Sequence, residues 1–207
     1  MTSSATSHIQ ATQATYPLIE VNRFRPSVQW PTWILILTIY SSWLALVLNF
    51  QHLPLWLSTF LLILVGAWYM SLQHELLHGH PSKITWLNQL LGILPIAVWY
   101  PYVIYRDNHI QHHNDEDLTH PELDTESNYL PPNQFHQLNK LHQLFRLALR
   151  TTLGRLLLGP AWAIFHLIKS NAQQLFKGNF KYLSTWLIHL SLLVVLLAAL
   201  QKYASIP

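Results

Sequence analysis

Three long stretches almost free of charge constrain this chain more than any other feature. Residues 32–50, 53–73 and 182–200 are each close to the roughly 20 residues a helix needs to cross bilayer hydrocarbon. A backbone there must satisfy its own hydrogen bonds, and within one segment only a helix does so. The expected fold is therefore an all-α integral membrane protein. The link from Gln51 to Pro54 is so short that the first two spans must pair as an antiparallel hairpin. Composition agrees. Of the 207 residues 51% are hydrophobic and 10% charged, where soluble proteins carry about 25% charged residues. Nine Trp and nine Tyr suit aromatic belts at the two membrane surfaces.

Residues 1–29 are polar and lack the basic-then-apolar layout of a cleaved leader. They read as a cytoplasmic N-terminal segment ahead of one membrane domain, 30–207. Residues 84–105 are apolar but interrupted by Pro95 and Pro101, with Trp86, Trp99, Tyr100, Tyr102 and Tyr105 crowding the ends. This stretch either crosses the membrane or dips in and returns. Only the second path lets the polar segments on either side of it meet, and it is the one favoured. Residues 114–134 are acidic. Residues 135–158 read as a helix lying on the membrane, with Phe135, Leu138, Leu141, Phe145 and Leu149 at helical spacing between Lys140, Arg146, Arg150 and Arg155. Residues 156–168, broken by Gly159-Pro160, read as a short interfacial element or a shallow insertion. The architecture is thus a transmembrane hairpin, interfacial helices and a third transmembrane helix. Eleven of the twelve basic residues precede the first span or lie between the second and the last. The positive-inside rule then puts the amino terminus and the central segments in the cytoplasm. A net charge of +3, scattered along the chain, argues against nucleic acid as a partner.

The chemistry lies in the histidines. With no cysteine, disulfides, iron–sulfur clusters and thiolate catalysis are excluded. On a helix His74 and His78 share a face one turn apart, and His109, His112 and His113 line a second stripe. Single histidines at membrane ends usually cap or snorkel, which covers His8, His52, His136, His142, His166 and His189. Five in two such stripes point to a metal. The string HELLH is also the zinc-protease pattern, in which Glu75 would activate water. That reading leaves the second cluster unexplained, and no further ligand follows at metzincin spacing. A carboxylate-bridged di-iron bundle needs two Glu-x-x-His units and two more glutamates. Only Glu75 with His78 fits. A histidine-rich non-haem iron site built on His74, His78, His109, His112 and His113 remains, since imidazole suits iron and zinc cannot do redox chemistry. Glu75, Asp107, Asp115 and Asp117 are candidates for fixing the ring orientations.

The strings HELLHGHP at 74–81, YRDNHIQHH at 105–113 and LTHPELDTESNYL at 118–130 resemble those of the membrane fatty acid desaturases and their hydroxylase and ketolase relatives. The likeness covers most of residues 30–200. It implies a four-span helical cap over a cytoplasmic site holding two iron ions. It also implies oxygen, an acyl-lipid substrate, membrane lipid and an external electron donor of ferredoxin or cytochrome type with its reductase, in a bacterial inner membrane. His74 and His78 match the first histidine box, and His109, His112 and His113 the second. His80 and His120 fall in these strings without matching a box position. The family's third box, another HxxHH after the last span, has no counterpart in the sequence. The expectation is a desaturase-type fold cut short at its carboxyl end, with an incomplete iron site that leaves the activity of the chain alone open. The readings left open are a hydroxylase or ketolase of lipid, alkane or carotenoid, a membrane zinc protease, and a non-catalytic remnant.

Overall fold

The computed structural model describes residues 29–204, apart from 115–118, 122, 125, 128 and 132. Every regular element among them is helical: α1 (Trp30–Leu48), α2 (Leu55–Leu77), α3 (Thr85–Gly92), α4 (Tyr102–Asn114), α5 (Gln134–Gln137), α6 (Lys140–Ala148), α7 (Thr152–Phe176) and α8 (Leu183–Ala204). Three of these, α1, α2 and α8, are long and apolar enough to cross a membrane. Their outward faces carry exposed Leu37, Phe60, Ile63, Val194 and Val195. Side chains of this kind gain by leaving water, and here lipid is what covers them.

The α1–α2 hairpin forms around a single 3₁₀ turn at Phe50–His52. Its packed seam, with Ile36, Ile39, Val65, Tyr69, Leu72 and Leu76, is the core of the molecule, and Ala97 and Tyr102 close one end of it. Residues 84–105 do not form one long helix. Helix α3 stops at Gly92, an irregular stretch holds the buried Pro95 and Pro101, and α4 starts at Tyr102. A broken helix leaves carbonyl oxygens without partners, which is costly away from water. Side chains of the hairpin supply the donors. The Tyr69 hydroxyl lies 2.8 Å from the Gly92 oxygen and 2.7 Å from that of Leu94. Gln73 Nε2 donates to the Gly92 oxygen at 2.7 Å, and the Tyr40 hydroxyl donates to Leu91. At Gly92 any Cβ would meet the Tyr102 ring at 2.7 Å, so the absence of a side chain lets α3 and α4 close on each other. Helix α8 is fastened to the same stretch by His189, whose Nε2 donates to the Val98 oxygen at 2.8 Å.

One sequence expectation needs correcting. The interfacial helix expected over 135–158 is broken, and the apolar run 156–168 is neither short nor interrupted. Helix α6 ends at Ala148, the chain bends by 113°, and α7 continues through Pro160 to Phe176. Caps explain the break. The Asn139 side chain accepts from the His142 N–H and starts α6, and Thr151 Oγ1 accepts from the Gly154 N–H and starts α7. The absent side chain at Gly154 also matters, since a Cβ there would lie 1.9 Å from the Ala148 oxygen. Pro160 forgoes one helical hydrogen bond and the helix tolerates the loss.

Candidate metal centre

Helix α2 carries the first pair of imidazoles in its last turn. His74 is helical and His78 is the C-cap. Gly79, at φ +81°, supplies the left-handed residue that ends the helix. The Gly79 N–H then reaches the Leu76 oxygen and the His80 N–H the Glu75 oxygen, both at 3.2 Å. The second pair, His109 and His113, lies one turn apart on α4. The core seam holds the two helices side by side, so the two His-x-x-x-His pairs face each other. Ring centroids are 4.7 Å apart for His74 and His109 and 4.9 Å for His78 and His113. One ligand atom from each of the four rings lies within 4.8 Å of all the others. Such a cluster can hold a metal ion.

Two carboxylates bond rings of α4, and one of those rings, His109, belongs to the second pair. Glu126 Oε1 accepts from His109 Nδ1 at 2.8 Å, which fixes the His109 tautomer and leaves the Nε2 lone pair facing the cluster. His113 Nε2 lies 3.0 Å from His109 Nε2, so the two nitrogens face one point in the cluster. Asp124 Oδ1 takes His112 Nδ1 at 2.7 Å. The Asp124 side chain is only 2% exposed, and its oxygens also accept from the Thr119 N–H at 2.8 Å and the Glu126 N–H at 2.9 Å. Burial alone would raise the Asp124 carboxyl. The Glu126 N–H, the His112 ring and the Thr119 N–H outweigh it and hold the group below its ordinary range. His78 is pushed below its ordinary value by desolvation and then by the rings of His74, His113 and His109. The neutral form, with a lone pair to offer a metal, is favoured.

The expected site residues separate into groups. His74, His78, His109 and His113 converge. His112, rotated 100° from His113 on the helix, stands at the edge, with ring centroids 6.1 Å from His109 and 5.8 Å from His113. His80 bonds Gln29 instead, and His120 Nδ1 accepts from the Leu123 N–H at 3.2 Å. Glu75 is 3.9 Å from His74 Nδ1, beyond hydrogen-bond reach. Among the described residues Asp107 takes no imidazole. It pairs with Arg106 at 2.8 Å and Lys181 at 3.8 Å, and accepts from the Tyr182 hydroxyl at 3.3 Å, tying α8 to α4. Asp115 and Asp117 lie outside the described residues. The two carboxylates that do bond the rings, Asp124 and Glu126, are absent from the expected set. Their only signal is their place in the acidic string that follows the second cluster.

A family model for fatty acid desaturases matches residues 50–206. The chain belongs to the fatty acid desaturase family. No curated protein and no solved structure matches it. Desaturases and their relatives are membrane oxidoreductases acting on fatty acids and are generally iron-dependent, and the described four-histidine cluster accords with that class. A catalytic zinc takes three protein ligands and keeps a fourth position open, whereas here four imidazoles meet in one cluster.

Proposed function

We propose that this chain takes part in the oxygen-dependent desaturation of a fatty acyl chain, with iron held by His74, His78, His109 and His113. The observation carrying this reading is the convergence of two helical histidine pairs from distant stretches of sequence. The donor set fits iron. All four ligand atoms are imidazole nitrogens, and one ring is already oriented by a carboxylate on its far nitrogen. It fits one ion better than two. A second iron would draw on His112 and on donors beyond the box histidines. Bound iron would supply what no side chain has, the power to activate oxygen against an unactivated C–H bond.

The protein's own part is positional. The last turn of α2 presents His74 and His78 from a helix packed into the core. Glu126 turns His109 toward the cluster, and Asp124 fixes the His112 ring beside it. The basic-residue count supports a cytoplasmic site, where an external ferredoxin- or cytochrome-type donor would deliver electrons. The test is to express the chain with such a donor, measure its iron, and weigh the membrane acyl chains. Desaturation removes two hydrogens, so a product two mass units lighter is expected. A product sixteen units heavier would make the chain a hydroxylase. Unchanged acyl chains from a chain that binds no iron contradict the proposal.

A further inference from the structure

We infer that a cleft beside the imidazole cluster binds the phosphate-bearing head of an amphiphilic acyl lipid. The inference deepens the lipid-oxidation reading, but its test needs neither metal nor turnover. The cleft measures about 620 Å³, within the roughly 300–1,000 Å³ typical of small-molecule sites. Its walls have opposite characters. One wall carries His112 of α4 with Asp124 and Glu126 of the loop, and the elbow between α6 and α7 brings Arg146, Arg150 and Arg155. Phe135, Leu149 and Trp162 are among the apolar residues that line it with them.

Three guanidinium groups on one elbow make a recognition surface for phosphate, which they can meet with paired N–H donors. Two of them are braced. Arg146 lies over the Trp162 ring, 5.3 Å from its centroid, and Arg155 Nε donates to the Leu149 oxygen at 3.2 Å. The bond made by Arg155 leaves its two terminal NH₂ groups for a ligand. The amino end of the 25-residue helix α7, at Thr152, adds partial positive charge to the same elbow. Asp124 and Glu126 act in the opposite sense. Both are engaged by histidine rings, and both repel an anion from the loop wall, so the head is steered to the arginines. The apolar residues between the two walls favour an amphiphile over a bare ion. The cleft reaches His112, so a lipid seated there would lie beside the cluster.

The test measures binding to the full chain in neutral detergent by native mass spectrometry. The probes are dioleoyl phosphatidate, dioleoylglycerol and inorganic phosphate, used with the wild type, Arg150→Gln/Arg155→Gln and the distant Lys202→Gln. Phosphatidate should bind saturably, and loss of the arginine pair should weaken it about tenfold or more, which is ~1.4 kcal/mol or more. Lys202→Gln should match the wild type. If the double variant does not fold by circular dichroism, Arg150→Gln alone should weaken binding in the same direction. Equal binding of dioleoylglycerol, or unchanged binding by the arginine variants, overturns the inference. So does inorganic phosphate competing as well as the lipid, which would make this a site for the free anion. Iron content of the same samples reports separately on the proposed function.

Discussion

The two histidine pairs of the cluster are held in different ways. His74 and His78 end a 23-residue helix packed into the core, and their position comes from backbone, through the helix end at Gly79 and the seam of α1 and α2. Among the described residues no carboxylate hydrogen-bonds either ring, Glu75 standing 3.9 Å from His74. His109 and His113 sit on a 13-residue helix beyond an irregular stretch, and there Glu126 and Asp124, from a loop, reach back to the α4 rings. One pair is placed by the fold and the other is tuned by polar contacts. A change in the loop should therefore alter the second pair without unfolding the molecule, and a change in the hairpin should act on stability before chemistry.

The largest effect expected is on metal. His109→Ala/His113→Ala should lower iron affinity by more than ~100-fold, beyond what loss of an outer carboxylate does, with helix content by circular dichroism unchanged. Next come the tuning contacts. Glu126→Gln, which frees a cluster ring, should weaken iron binding ~10–100-fold by titration, Asp124→Asn should weaken it less because His112 stands outside the cluster, and Glu75→Gln should leave it nearly unchanged. Equal effects from all three would erase the distinction between the pairs. On the structural side, Tyr69→Phe should cost about 1–3 kcal/mol of stability by removing a buried donor to the α3 carbonyls, read as a lower unfolding midpoint in detergent. The smallest effect is at Gly79→Ala, about 1–2 kcal/mol from the left-handed backbone alone, because nothing lies within 4 Å of the added methyl.

The same contrast explains what the sequence reveals. Hydropathy alone locates α1, α2 and α8 to within a few residues, because lipid imposes length and polarity directly. Helical spacing pairs His74 with His78 and His109 with His113. The interruptions at Pro95 and Pro101 show that 84–105 need not cross. What spacing cannot tell is which carboxylates come back to the rings. Asp107 is adjacent in sequence to the second box but is drawn to Arg106, Lys181 and Tyr182. Asp124 and Glu126 are 12 and 17 residues from the rings they bond and return only by the path of the loop. The elbow was similarly hidden. Thr151 caps α7 inside what reads as one helix, and only the packing of Gly154 on the Ala148 carbonyl shows why the chain turns there.

The most direct test of the central claim is X-ray absorption spectroscopy of the full chain loaded with ferrous iron. The convergence of both pairs predicts about four imidazole nitrogens around the metal, from His74, His78, His109 and His113, falling to about two in His109→Ala/His113→Ala. A wild-type spectrum with two or fewer imidazoles, unchanged in that variant, would contradict it.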